Sequence, residues 1–292
     1  MSEEFSKKSQ VTLERGAGKI NYDQENFLVE GLFDEQSLVG FYGPSGSRKS
    51  FIIIDIACRI ATGMPWQGKE TKQGSVIYVA AEGSNGMTKR MNAWINEYNN
   101  GEDLDNFYRI SQPMFVSKKE VIDDLILATE DIFLQTGMPV KLIVIDTLAR
   151  CFIGNENTAE DMGAFINGCD EIKNKSGATI LIVHHTGKDL QRGAKGAYSF
   201  KAALDNEYLV TKEEDSRVLS TRLECTKNKD GSDDLNLLIE LKIETLGKTK
   251  KGKVIDTLLV VDNSNSNSNS NSKDNGSKVS NKKRLEVVSD EY

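Results

Sequence analysis

The sequence predicts an α/β fold: a mostly parallel sheet flanked by helices, with antiparallel strands added towards the C-terminus. Three observations predict it. Nearly all-apolar runs at Ser37–Tyr42, Ser75–Ala81, Lys141–Ile145 and Ala178–Val183 alternate with stretches of helical spacing, the pattern of strands buried on both faces. A turn rich in Gly and Ser, residues 43–50, joins the first run to a helix. After residue 205 the texture changes, and Glu207–Thr211, Arg217–Thr226, Leu235–Thr245 and Lys253–Val261 read as successive antiparallel strands with short turns.

Taken in order, residues 1–25 are polar and predict a flexible arm, and residues 26–36 lead into the first strand. The helix from Lys49 to Thr62 keeps apolar residues at 51, 53, 54, 57, 60 and 61 and stops at Gly63 and Pro65. Helices follow at Met87–Tyr98 and over residues 118–136. Another runs from Thr158 to Lys175, where Thr158 and Asp161 make a plausible cap. Residues 263–272 are a strict Asn-Ser repeat with nothing to bury. The division predicted is an arm (1–25), one α/β domain (26–262), a disordered Asn/Ser linker (263–281) and a charged tail (282–292).

The net charge of −7 argues against a basic nucleic-acid coat, although contact confined to a few loops stays open. Cys58, Cys151, Cys169 and Cys225 are far apart and form no CxxC pair, which favours reduced structural thiols and a cytoplasmic protein. The polar start predicts no signal peptide, and no apolar run approaches a membrane span.

Chemistry concentrates in Gly43-Pro44-Ser45-Gly46-Ser47-Arg48-Lys49-Ser50. Strand, tight loop and helix are the context of a phosphate-binding P-loop, whose inward N–H groups meet the positive end of the helix dipole. In that motif Lys49 reaches the β- and γ-phosphates of ATP, and the Ser50 hydroxyl holds Mg²⁺. Arg48 stands where the common pattern has Gly. Asp146 closes the run 142–145 and is placed to hold the Mg²⁺ shell. Glu82 ends the run 76–81, and two roles fit it, activation of the attacking water or capping of the next helix. His184 and His185, the chain's two histidines, end the run 180–183. A γ-phosphate sensor, with His185 preferred, fits better than zinc, because no second ligand cluster is present.

The Gly-rich stretch 186–199 carries Lys188, Arg192 and Lys195. It reads either as an exposed charged loop or as a grip on a nucleic-acid backbone. Lys227 and Lys229 flank Asn228 between two predicted strands. A hairpin turn accounts for them, and so does a pair of point charges reaching a neighbouring subunit's γ-phosphate.

Together these residues resemble the RecA-fold ATPases, in particular the RepA-type hexameric replicative helicases of plasmids and related phage ATPases. The resemblance runs from about Phe27 to Val261. It rests on Gly43–Ser50, Val76–Glu82, Leu142–Thr147, Arg150–Asp161, His184-His185, and Arg192-Gly193 with Ser199. It implies an ATP-driven ring, a hexamer, acting on single-stranded DNA, with Glu82 as catalytic glutamate, Asp146 as second acidic motif and His185 as γ-phosphate sensor. It also implies a trans-acting pair at Lys227 and Lys229, and a replicative helicase of a phage or mobile element as the role. The stretch 204–208 departs from the plasmid enzymes in carrying no arginine. A recombination or annealing ATPase and an ATP-gated loader are the alternatives, and the C-terminal tail is a candidate hook for a replisome partner.

Overall fold

The computed structural model describes residues 26–82, 84–185, 198–213 and 218–264. The arm at 1–25, the basic stretch with Lys188, Arg192 and Lys195, and the tail from 265 onward lie outside the described residues. In chain order the elements are β1 (Phe27–Val29), β2 (Phe33–Asp34), β3 (Leu38–Gly43), α1 (Lys49–Thr62), β4 (Ser75–Ala80), α2 (Ser84–Tyr98), β5 (Phe107–Ile110), α3 (Lys119–Thr136) and β6 (Val140–Asp146). They continue as α4 (Leu148–Cys151), α5 (Ala159–Ser176), β7 (Thr179–His185), α6 (Tyr198–Ala203), β8 (Asn206–Glu213), β9 (Ser220–Asn228), β10 (Asn236–Lys248) and β11 (Val254–Val260).

Nine strands form one sheet in the order β11-β10-β9-β8-β3-β7-β6-β4-β5. The six from β8 to β5 are parallel, and β9, β10 and β11 continue antiparallel. The antiparallel extension therefore begins one strand later than the sequence predicts. β8 pairs parallel with β3 because the segment after β7, including α6, carries the chain back to the starting end of the sheet. The edge strand β5 escaped prediction. Its four residues, Phe-Tyr-Arg-Ile, are half-exposed and too few to show a period.

Each face of the sheet packs its own core. Val39, Phe41, Tyr78, Val144 and Val183 face α1 and α2, where Trp66 and Trp94 are buried. Leu38, Ile77, Ile143 and Ile182 face the layer of α3, α5 and α6. The helices end where sequence chemistry says they should. Gly63 takes a left-handed φ of 74° after α1 and returns its N–H to the Arg59 carbonyl. Thr158 accepts from the Asp161 N–H at the start of α5.

Within the α1 layer a polar cluster is completely enclosed. Asp55, 2 % exposed, accepts from the indole N–H of Trp66 at 2.9 Å and of Trp94 at 2.7 Å. Arg59, one turn on, donates to the Pro65 carbonyl and to Asp262, each at 2.9 Å. It therefore ties the P-loop helix to the end of the described chain. All four cysteines are buried and unpaired by disulfides. Among the described residues no helix is long and apolar enough to cross a membrane.

Candidate nucleotide site

Parallel register gathers the chemistry at one edge. Gly43 lies opposite His185, Asp146 opposite Val183, and Ala80 opposite Asp146, so the C-terminal ends of β3, β4, β6 and β7 open on one crevice. Side chains alternate across a strand. That alternation separates the two histidines. His185 shares the face of Val183 and points to α1, whereas His184 packs its ring on Phe200 of α6 with centroids 5.7 Å apart.

The loop from Gly43 to Ser50 wraps the start of α1. At Gly43, φ is 153° and an added Cβ would lie 2.1 Å from the Val210 carbonyl oxygen, so only glycine fits. Arg48 is left-handed as well, with φ 73° and ψ 19°. The loop thus keeps the conformation that the Gly-containing pattern provides, with arginine holding it at a cost of about 1–2 kcal/mol.

Lys49 is 4 % exposed. Its ammonium donates to the carbonyls of Gly43 and Pro44, both at 2.9 Å, and lies 3.4 Å from both Ser47 Oγ and His185 Nδ1. Burial brings its pKa down to about 8, against the opposing pull of Asp146 and Glu82. Burial and the Lys49 charge also lower the His185 pKa, which favours the neutral ring. Its Nδ1 side faces Lys49, and Nε2 lies 4.0 Å from Glu82 Oε2. The same Glu82 oxygen accepts from Thr147 Oγ1 at 3.4 Å. A partly exposed carboxylate is thus held at the mouth of the crevice by two neighbours.

Asp146 faces α1 and is 6 % exposed. The Tyr78 hydroxyl donates to its Oδ2 at 2.7 Å, and the Ser50 hydroxyl is a second hydrogen-bond partner. Burial raises the Asp146 pKa despite both bonds. Across β4 and α2, the Arg90 guanidinium lies 4.3 Å over the Phe51 ring and favours the charged form of Asp146. These residues fit a magnesium ion taken up with a nucleotide. Such an ion needs only one or two protein oxygens, the rest coming from phosphates and water.

Lys49, Ser50, Glu82, Asp146 and His185 are therefore brought together. Lys227 and Lys229 are not. They lie at the other edge of the sheet, where Asn228 pairs with Asn206 and the Asp205 carboxylate accepts from the Leu38 N–H at 2.9 Å. The Lys227 ammonium donates to the carbonyls of Lys201, Ala202 and Leu204 at the end of α6, and Lys229 pairs with Asp205 at 3.2 Å. By register Lys227 lies opposite Glu207 and Gly40, and Lys229 beside Asp205 and Leu38, which sets them roughly 10 and 17 Å along the strands from Gly43 at about 3.3 Å per residue.

Sequence reading missed three residues of the site: Tyr78, Thr147 and Arg90. Tyr78 left a signal, a lone hydroxyl inside an aliphatic strand. Thr147 directly follows the acidic strand end, across a cis peptide bond from Asp146. Arg90 left none, because its place depends on how α2 packs against α1.

The sequence matches a protein family described as an AAA domain over residues 6–191. No curated protein matches it. Among solved structures, the KaiC-like protein PH0186 from the hyperthermophilic archaeon Pyrococcus horikoshii OT3 aligns with a TM-score of 0.49 at 12 % identity, covering 81 % of this chain and 94 % of that one.

Proposed function

The chain belongs to the AAA domain family, and from that premise we propose a Mg-ATP-dependent, ring-forming motor on single-stranded DNA, a replicative helicase of a phage or mobile element. The observation that carries the nucleotide part is the convergence of Lys49, His185, Glu82 and Thr147 around the P-loop, with Ser50 and Tyr78 on Asp146. Lys49 exchanges its loop carbonyls for the β- and γ-phosphate oxygens and neutralises the charge that spreads over the transferring group. Glu82 takes a proton from the attacking water, whose oxygen bonds the γ-phosphorus as the bond to the ADP oxygen breaks. His185 spans the two, one nitrogen towards Lys49 and the other towards Glu82, and signals whether the γ-phosphate is present. Ser50 and Asp146 would hold a magnesium ion taken up with the nucleotide, which would supply further neutralisation of phosphate charge.

The DNA part rests on the resemblance in the P-loop, the acidic strand ends and the histidine pair, and on the basic residues Lys188, Arg192 and Lys195 that follow His185. In a hexamer the edge carrying Lys227 and Lys229 is offered to a neighbour, and the distance of that edge from its own P-loop favours action in trans. Both lysines are already bound within the chain. That observation favours a second reading, an ATP-gated loader or switch in which they serve the fold alone.

Hydrolysis with and without single-stranded DNA, on a sample whose mass is followed by light scattering, separates the two. DNA stimulation from a hexamer-sized species, with strand displacement on a fork that Glu82→Ala abolishes, supports the motor. Hydrolysis without displacement refutes the helicase, and DNA-independent turnover from a monomer favours the switch.

A further inference from the structure

Arg48 is the P-loop residue that nucleotide chemistry does not ask for. It holds a left-handed backbone that glycine adopts freely, so a reason for the arginine is to be sought in its side chain. That side chain leaves the loop. One guanidinium nitrogen donates to the Ser220 carbonyl at 2.7 Å and lies 3.5 Å from Thr221 Oγ1. Both partners are fully buried and open strand β9. The neighbouring strand touches the loop too, because the Val210 carbonyl of β8 packs on Gly43. The β8–β9 pair thus grips the P-loop at both ends of its turn.

β9 then crosses the sheet. Its ladder pairs it with β8 from Ser220 to Asn228, with one bulge at Thr226, and with β10 from Ser220 to Glu224, so its first half is held on both sides. At its far end Lys227 holds the last carbonyls of α6, and Lys229, just beyond, holds Asp205. One strand therefore touches the phosphate loop at its start and carries the two lysines at its finish.

We propose that Arg48 is a positioning residue that couples filling of the P-loop to strand β9, and through it to the Lys227–Lys229 edge of the subunit. A triphosphate entering the site draws Lys49 away from the Gly43 and Pro44 carbonyls. The adjacent Arg48 backbone shifts with it, and the guanidinium tether passes that shift to Ser220. The proposal rests on the reading of this loop as an ATP site.

Hydrogen–deuterium exchange on the full chain tests it, with and without a non-hydrolysable ATP analogue and Mg²⁺. In the unmodified protein the analogue slows exchange over residues 43–50, and over 220–228 by about tenfold, the scale of one charge-assisted hydrogen bond. In Arg48→Gly, whose backbone accepts the same φ, the response at 43–50 persists and that at 220–228 is lost. Arg48→Lys, able to donate to the same carbonyl, restores part of it. A purely structural arginine would instead give faster exchange over 220–228 with and without analogue, and an undiminished nucleotide response. That pattern overturns the proposal, as does a silent β9 beside a responding P-loop in the unmodified protein. If residues 43–50 are silent as well, the ATP-site reading falls and this coupling falls with it.

Discussion

Two buried charge clusters sit on helix α1, Lys49 with Asp146 at its first turn and Asp55 with Arg59 further along. At the second, the chain provides every partner. Asp55 takes two indole N–H groups and faces Arg59 Nε at 3.5 Å, while Arg59 reaches Pro65 and Asp262 and lies 4.4 Å over the Tyr98 ring. At the first, the partners are stand-ins. Lys49 leans on the carbonyls of its own loop, and among the described residues neither it nor Asp146 has a salt-bridge partner. Burial disfavours charge at both clusters, lowering the Lys49 pKa and raising those of Asp146 and of Asp55, the last to about 6, so the clusters differ in their partners. A buried charge satisfied from within is part of the architecture. One held by backbone carbonyls can exchange them for a ligand, which under the proposed function is a triphosphate with its cation.

The contrast breaks if substitutions in the two clusters do the same thing. Glu82→Gln is expected to lower turnover by about 10²–10⁴-fold, the range for a lost general base, with thermal unfolding unchanged. Phosphate release and a melting curve check it. Asp55→Ala is expected to do the reverse. It leaves two buried indole N–H groups without an acceptor and takes one partner from Arg59, which keeps Pro65 and Asp262, and costs about 2–6 kcal/mol of stability in a denaturant titration, the scale for two unsatisfied buried donors. A stable Asp55→Ala protein with impaired turnover would erase the distinction.

A smaller effect sharpens the comparison from the site side. Tyr78→Phe removes the donor to Asp146 and is expected to weaken magnesium dependence or turnover by about 10–100-fold. The fold should lose only about 1 kcal/mol. Smallest is a pH effect. The empty site holds Lys49 near pKa 8, and a bound triphosphate restores its proton affinity. Binding is therefore proton-neutral below about pH 8 and takes up a proton above it. ATP affinity is expected to stay flat up to that point and then fall by at most about tenfold per pH unit. Calorimetric titration across pH 7–10 measures the break, and Lys49→Arg, which stays charged throughout, should remove it.

What was legible in the sequence was local. Lys49–Thr62 announces its helix by spacing and its end by Gly63, and Asp146 and His185 announce themselves as polar ends of apolar strands. The choice of His185 over His184 is a matter of strand parity, readable once the P-loop face is known. What was not legible depends on pairings distant in sequence. Tyr78 meets Asp146 only because β4 lies beside β6. Arg48 meets Ser220 across most of the domain, and β8 turns parallel because of a crossover whose length does not reveal its direction. Asp55 meets the indoles of Trp66 and Trp94 only in the folded chain.

That last arrangement has an optical consequence. The chain contains two tryptophans, and both indoles point their N–H at one carboxylate on the helix that opens with Lys49 and Ser50. Natural tryptophan emission from this protein therefore comes from two indoles, one just after α1 and one on α2, that share a single carboxylate of α1, so a tilt or strain in α1 should register in its colour and intensity with no labelling.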